Sequence, residues 1–157
     1  MKMELYLLRH ADADTMAETD DARLLSEKGE GQGKKVARFC DAHRIAPARV
    51  LSSPVLRALQ TAEIVVAHLG LELTVAPWLA CGMRPAEALK NLQEYAGEAA
   101  VMIVGHEPDF SGLAAHLAGL PSGEHIEIRK ASLTRLTVTA LERGGARLDF
   151  SVPCRLM

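Results

Sequence analysis

Aromatic residues are scarce in this chain: one Trp, two Tyr and three Phe make up 4% of its 157 residues. The core must therefore be built mainly from aliphatic side chains. Cysteines are also few. Cys40, Cys81 and Cys154 are odd in number and widely spaced, which is typical of reduced thiols and argues against a disulfide framework or a cysteine-based metal site.

Neither charge nor hydrophobicity is strongly biased. The formal net charge is −2, which argues against nucleic acid as the main partner but leaves room for a local basic pocket. The apolar run 3–8 is too short for a signal peptide or a membrane-spanning helix. We therefore expect a cytoplasmic protein that engages neither membranes nor nucleic acids.

Short apolar runs typical of buried strands alternate with amphipathic segments of helical spacing. The predicted strands are 4–8, 49–52, 71–75 and 99–104, and the predicted helices begin near Ser26, Ser53, Pro85 and Pro108. Two alternating segments, 136–140 and 148–152, flank Glu142-Arg143-Gly144-Gly145 and predict a β-hairpin. The pattern predicts one α/β domain over 1–157, a three-layer αβα sandwich with a largely parallel sheet and a carboxyl-terminal edge hairpin.

Cation-capable side chains follow three of the predicted strands. Arg9 and His10 end the first strand, His106 follows the fourth, and Arg57 lies one turn into the helix after the second. Ligands of such folds bind outside the carboxyl ends of the strands, where these four residues would meet. A helix amino terminus and an arginine fork both suit phosphate oxygens, so we predict a phosphate site there.

The chemistry that fits this set is phosphoryl transfer. A neutral imidazole is a good nucleophile at pH 7, so His10 could attack phosphorus while Arg9, Arg57 and His106 hold the oxygens and stabilise the developing charge. The sequence has no Walker motif and no aspartate cluster suited to a metal. We therefore expect no metal ion and no cofactor.

Three other residues are weaker candidates for phosphate binding, namely Arg23, Ser53 and Glu107. Each has an ordinary alternative: surface charge for Arg23, a helix cap for Ser53 and an exposed helix start for Glu107. Asp12 lies close enough to His10 in sequence to orient the pocket.

Motifs along nearly the whole chain carry a family resemblance. They are Leu8-Arg9-His10-Ala11, residues 51–62 (LSSPVLRALQTA), Val104-Gly105-His106, residues 23–29 (RLLSEKG), Cys81-Gly82 and Pro153-Cys154. The chain resembles the histidine phosphatase superfamily, which includes cofactor-dependent phosphoglycerate mutase, and within it the compact SixA-type phosphohistidine phosphatases. The resemblance implies that His10 becomes phosphorylated and that Arg9, Arg57 and His106 bind the phosphate.

Two departures from the family pattern bear on this expectation. Ala11 stands where the signature usually has glycine, and the stretch 78–82 lacks the glutamate that larger members use as a general acid. An alcohol leaving group, whose pKa is as high as that of water, needs such an acid, whereas an imidazole with a pKa of about 6.5 does not. The missing glutamate therefore favours phosphohistidine as the substrate, although Glu107 or Asp12 could serve as a donor.

The sequence thus predicts a metal-independent phosphatase that removes phosphate from a phosphohistidine-bearing protein, a phosphotransfer domain or a carrier, and releases inorganic phosphate. Two alternatives use the same pocket: a small-molecule phosphomonoesterase or phosphomutase, and a phosphate-binding module without turnover. We expect a monomer.

Overall fold

The computed structural model describes residues 1–157 and centres on one six-stranded sheet. The strands are β1 (Met3–Arg9), β2 (Arg49–Ser52), β3 (Leu73–Val75), β4 (Ala100–Gly105), β5 (Leu133–Val138) and β6 (Ala146–Val152). Their order across the sheet is β3-β2-β4-β1-β5-β6. The first four strands pair in parallel, and β5 runs antiparallel to both β1 and β6, which confirms the predicted parallel sheet with an edge hairpin.

Four helices cover the two faces of the sheet. They are α1 (Glu27–Ala42), α2 (Leu56–Leu69), α3 (Pro85–Leu92) and α4 (Asp109–Ala118). Helices α1 and α2 pack on one face, and α3 and α4 on the other, so the predicted three-layer sandwich is confirmed. None of the helices is both long and apolar enough to span a membrane.

The central strands bury side chains on both faces. In β1, Leu5 and Leu7 point into the apolar cluster under α3 and α4, whereas Tyr6 and Leu8 point into the cluster under α1 and α2. A strand covered on both sides reads as a continuous apolar run rather than an alternating one. This packing holds β1 in the centre of the sheet and fixes Arg9 at the carboxyl end of that strand.

The boundaries of α2 differ from the prediction. The helix begins at Leu56 rather than at Ser53-Pro54, and its N-cap is Val55, whose side chain makes no capping bond. Ser53 is still tied to the sheet, because its backbone N–H donates to the Val104 carbonyl at 2.9 Å. The Ser53 hydroxyl instead accepts the Val55 N–H at 3.1 Å, inside the turn that leads from β2 to the helix.

Two other elements are shorter than predicted. The third strand begins at Leu73 instead of residue 71, because the helix-ending Gly70 is followed by a bond from the Leu71 N–H back to Val66. The third helix is α-helical only to Leu92 and continues as a 3₁₀ turn over Gln93–Tyr95.

Two glycines of α1 differ in the space around them: Gly29 is tightly packed and Gly31 is open to solvent, so the pair allows a matched test of stability. A methyl group on Gly29 would overlap the backbone carbonyl of Asp12, whereas one on Gly31 meets nothing within 4 Å. We expect Gly29→Ala to destabilise the fold by about 2 kcal/mol or more, because backbone has to shift. Gly31→Ala should stabilise it by about 0.5–1 kcal/mol through helix propensity. Urea denaturation of both variants checks this, and equal stabilities would contradict the packing of α1 against the segment after His10.

Candidate active site

His10 lies directly after β1, and the neighbouring strand holds its backbone. Its N–H donates to the Gly105 carbonyl of β4 at 3.0 Å, and its side chain is only 6% exposed. Nδ1 lies 2.8 Å from the Ala11 carbonyl oxygen. Because a carbonyl can only accept, Nδ1 carries the proton and Nε2 keeps a free lone pair.

The residue after His10 is fixed by α2. The Ala11 N–H donates to the Thr61 hydroxyl at 3.0 Å, and that hydroxyl donates to the Arg57 carbonyl at 2.7 Å. Thr61 therefore connects the segment after His10 to α2, the helix that carries Arg57. Thr61 belongs to the predicted motif 51–62, but the sequence alone does not indicate this role. Ala11 has no left-handed backbone conformation, so its position does not require glycine.

His106 faces His10 from the end of β4. The two ring centroids are 5.5 Å apart and the ring planes are tilted by 51°. Nε2 of His106 lies 2.8 Å from the Ser53 hydroxyl oxygen, while its Nδ1 has no hydrogen-bond partner. The structure thus brings Ser53 to the histidine pair rather than to a helix cap.

Arg57 and Arg9 complete the cluster from two sides. Arg57 is 5% exposed, and its guanidinium donates to the Asp20 backbone carbonyl at 2.9 Å and to the Asp20 carboxylate at 3.1 Å. Arg9 donates to the Ile128 carbonyl at 2.9 Å. Arg9 pairs with Gly105 at the carboxyl ends of β1 and β4, and His106 contacts Ser53 in the turn that leads to Arg57, so the four residues lie at the carboxyl ends of the central strands.

Three buried side-chain nitrogens in the structure lack a hydrogen-bond partner, and all three belong to this cluster: Nε of Arg9, Nε of Arg57 and Nδ1 of His106. An unpaired buried polar group costs about 1–3 kcal/mol, and more when it is charged. The fold therefore keeps hydrogen-bonding capacity unused at this one place. A bound anion with several oxygens is the kind of ligand that would use it.

Burial sets the protonation state of both histidines. It is the largest cause that lowers the pKa of His10 and of His106, each to about 4, and the neighbouring guanidinium charges lower both pKa values further. At neutral pH both imidazoles are uncharged, so the Nε2 lone pair of His10 is available for attack.

These low pKa values predict how stability depends on pH. Between about 6.5 and 4 the unfolded histidines take up protons that the folded ones refuse, so the free energy of unfolding falls as the pH is lowered through this window. No stability is lost above pH ~6.5, where both histidines are neutral in the folded and the unfolded state, and by pH 4.5 we expect a loss of about 2 kcal/mol for each histidine and about twice that for the pair. Urea denaturation between pH 7.5 and 4.5 measures it.

The matched control is His10→Asn combined with His106→Asn, which removes both groups from the titration. This double variant should lose clearly less stability than the wild type over the same window. Equal losses would show that carboxylates alone cause the acid sensitivity.

The loop between β1 and α1 carries a site residue that the sequence did not single out. Asp20 lies in a 3₁₀ turn (Asp20–Ala22), and its carboxylate contacts both Arg23 and Arg57 at 3.1 Å. The hydrogen bond from Arg23, followed by the charge of Arg57, lowers the pKa of Asp20, so the group is an anion at neutral pH. In the sequence it stands among other acidic loop residues, and nothing marks it out.

The weaker candidates Arg23 and Glu107, and the neighbouring Asp12, each bond to other parts of the chain. Arg23 donates to the Asp14 and Ala13 carbonyls and so holds the Asp20 loop. The Glu107 carboxylate accepts the Ser111 N–H and caps the first turn of α4. The Asp12 carboxylate pairs with Lys130 at 3.0 Å and accepts the Ser26 hydroxyl at 2.7 Å, and it makes no hydrogen bond to either histidine. No group of three His, Cys, Asp or Glu side chains is arranged to hold a metal ion.

A largely parallel αβα sandwich with two histidines and two arginines at the carboxyl ends of its strands defines the general class, an α/β protein with a cluster of cation-capable side chains at its strand ends. Known proteins specify the class further. The family model for the histidine phosphatase superfamily (branch 1) matches residues 5–80. The chain is 30% identical over 163 residues to the phosphohistidine phosphatase SixA of Escherichia coli K12, covering 98% of this chain and 96% of that protein. The chain therefore belongs to branch 1 of the histidine phosphatase superfamily.

Two further comparisons agree with this assignment. An uncharacterised Picosynechococcus protein is 36% identical over 156 residues, covering 94% of this chain and 89% of its own length. A structure of the protein histidine phosphatase SixA complexed with tungstate superposes with a TM-score of 0.87 at 27% identity, covering 99% of this chain and 100% of that one. The expected family and fold are confirmed, and the resemblance extends over the full length of the chain.

Proposed function

We propose that this protein is a phosphohistidine phosphatase, which removes the phosphoryl group from a histidine side chain of another protein. The observation that carries the proposal is the cluster of three unpaired buried nitrogens beside the free Nε2 of His10. A phosphoryl group offers the oxygens that these nitrogens lack, next to a neutral nucleophile. Tungstate, which a related structure contains, is likewise a tetrahedral dianion.

The reaction has two steps. Nε2 of His10 attacks phosphorus, the N–P bond of the substrate breaks, and the electron pair returns to the departing imidazole. Water then attacks the phosphoryl group on His10, the Nε2–P bond breaks and its electron pair returns to the imidazole, while inorganic phosphate leaves with the oxygen of the water and the released proton passes to solvent. Arg9, Arg57 and His106 hold the phosphoryl oxygens in both steps, and the two guanidinium groups supply fixed positive charge for the transition state.

The carboxylates around the site support N–P rather than O–P cleavage. Asp20 is held as an anion by Arg23 and Arg57, and Glu107 is engaged with the Ser111 N–H. The stretch 78–82, in which the family pattern of larger members has a glutamate, contains no carboxylate here, and its Cys81 sulfur lies 3.6 Å from Arg57. An imidazole leaving group with a pKa of about 6.5 departs in protonated form without help, whereas an alkoxide does not.

The decisive experiment offers the purified protein a carrier protein labelled with ³²P on histidine, alongside a panel of phosphomonoesters. We expect release of phosphate from the carrier and a transient label on the enzyme that is labile to acid and stable to base. Turnover of one phosphomonoester far above phosphohistidine would contradict the proposal in favour of a small-molecule phosphatase. Tight binding of phosphate without a label on His10 would identify a binding module.

A further inference from the structure

A groove with a volume of about 690 Å³ opens beside the histidine cluster and shares Arg9 with it. One wall is formed by α1, and the other by the segment before β5 together with residues 153–155. We call it the basic groove, after the six cations that line it: Arg9, Lys28, Lys35, Arg129, Lys130 and Arg155.

The charge of the basic groove is opposite to that of the rest of the molecule. Its six cations face only two carboxylates, Asp12 and Glu127, so the groove carries an excess of four positive charges. The whole chain has a net charge of −2, and the remainder therefore carries six more negative than positive charges. Such a local concentration of one sign attracts ligands of the other sign and orients them on approach.

Most of this positive charge is unpartnered. Asp12 is paired with Lys130 at 3.0 Å, and Glu127 with Arg129 at 3.1 Å. Lys28, Lys35 and Arg155 have no carboxylate within ion-pairing distance, and neither does Arg9. Like charges held on facing walls repel one another, so an anionic ligand would stabilise the groove.

The walls are fixed to each other by hydrogen bonds. The Gln32 side chain of α1 accepts the Asp12 N–H at 2.8 Å, and the Gln32 backbone carbonyl faces the Cys154 sulfur at 3.8 Å. The Asp12 carboxylate joins Ser26 of the helix cap to Lys130 of the opposite wall. The groove is therefore preformed, which lowers the entropic cost of binding.

The lining indicates the chemical class of ligand. No aromatic side chain lines the groove, and one of its twelve lining residues is hydrophobic, unlike sites for drug-sized molecules or for stacked bases. Lys28 and Lys35 lie seven residues apart on one face of α1, a separation of about 10 Å. An extended polypeptide covers that distance in about three residues.

We propose that the basic groove binds an acidic polypeptide segment that adjoins the phosphohistidine of the substrate protein. This inference rests on the proposed function, because Arg9 connects the groove to the phosphate site. Glutamate or aspartate residues about three positions apart would reach Lys28 and Lys35 in turn. The groove then selects among phosphohistidine proteins, while the histidine cluster selects the phosphoryl group.

The test compares three substrates: free phosphohistidine and two phosphohistidine peptides of equal length. One peptide has glutamate at every third position on both sides of the phosphohistidine, and the other has glutamine at the same positions. We expect kcat/KM for the glutamate peptide to exceed that for the glutamine peptide by about tenfold at low salt. The advantage should disappear at 1 M salt, where the screening length falls to about 3 Å.

Charge variants in α1 locate the effect. Lys28→Glu combined with Lys35→Glu should remove the preference for the glutamate peptide and leave kcat/KM for free phosphohistidine within about twofold. Gly31→Glu should reduce the preference about threefold relative to Gly31→Gln, since Gly31 lines the groove and has open space for a side chain. Lys34→Glu makes one lysine-to-glutamate change on α1 outside the groove, half the charge change of the double variant, and serves as the control for either single substitution, Lys28→Glu or Lys35→Glu.

Two results would overturn the inference: equal kcat/KM for both peptides in the wild type, or a preference that survives the double substitution. Failure of the proposed function looks different, because none of the three substrates would then be hydrolysed. In that case fluorescence anisotropy of the unphosphorylated glutamate peptide still tests the groove. A single-stranded oligonucleotide of equal charge that binds more tightly, and loses binding in the double variant, would reassign it to nucleic acid.

Discussion

A His10→Asn variant should lose at least about 10³-fold in kcat/KM for a phosphohistidine protein and should take up no label. Asparagine places a side-chain N–H near the position of Nδ1, so the bond to the Ala11 carbonyl can persist. It has no lone pair where Nε2 stands. The nucleophile is therefore removed, while the hydrogen bonds that hold the loop are largely retained.

His106→Asn is the matched comparison, because it alters the facing ring at a centroid distance of 5.5 Å without removing the nucleophile. This variant should be slower than wild type but should still acquire the acid-labile label. Single-turnover labelling with the ³²P carrier separates the two variants. A His10→Asn enzyme with a tenth or more of the wild-type rate would exclude covalent catalysis at His10.

Replacement of Arg57 should produce the second largest loss. We expect Arg57→Lys to lower kcat/KM by about 10²-fold and Arg57→Met by about 10³-fold, because a lysine keeps the charge but cannot offer two parallel donors to phosphate oxygens. Competitive inhibition by vanadate should weaken in the same order. Steady-state kinetics with the carrier protein measure both quantities.

Stability should respond differently from activity at this position. Arg57 is almost fully buried and its Nε is unpaired, so the folded protein carries an incompletely satisfied charge. Replacing buried charge by apolar groups is often neutral or stabilising, provided that no buried partner is left unpaired, and the Asp20 side chain left behind here is 64% exposed to solvent. Arg57→Met should therefore unfold at the same or a higher urea concentration than wild type. A large loss of stability would instead identify Arg57 as a structural residue.

Much of the fold was predictable because its elements are bounded by local signals. Ser26 caps α1 as expected, with its hydroxyl accepting the Gly29 N–H, and Gly70 ends α2 in a left-handed conformation. The apolar runs of β1 and β4 are buried on both faces, so the pattern of the sequence alone identifies them. The sequence predicts the start of α2 two residues too early, at Pro54 instead of Leu56, because the Ser53 hydroxyl contacts His106 and the Val55 N–H and does not cap the helix.

The candidate site was only partly predictable, for a related reason. Arg9, His10, Arg57 and His106 follow strand ends, and the topology of a parallel sheet brings strand ends together. Thr61 and Asp20 act through contacts 50 and 37 residues away in the chain, with Ala11 and Arg57 respectively. No periodicity records such contacts. The basic groove could not be predicted from the sequence either, because its cations come from several distant segments, none of which carries a long run of positive charge.

The Asp20 carboxylate has a consequence for selectivity among anions. Arg57 already holds a resident counter-ion, whose side chain is 64% exposed and can be rehydrated at little cost when it is displaced. An incoming ligand therefore gains only the difference between two ion pairs. Chloride or a lone carboxylate gains almost nothing from the exchange, whereas a phosphoryl dianion that also engages Arg9 and His106 gains several bonds at once. Under the proposed function, the same exchange in reverse would help to release the phosphate product, because the Asp20 carboxylate can take its place on Arg57.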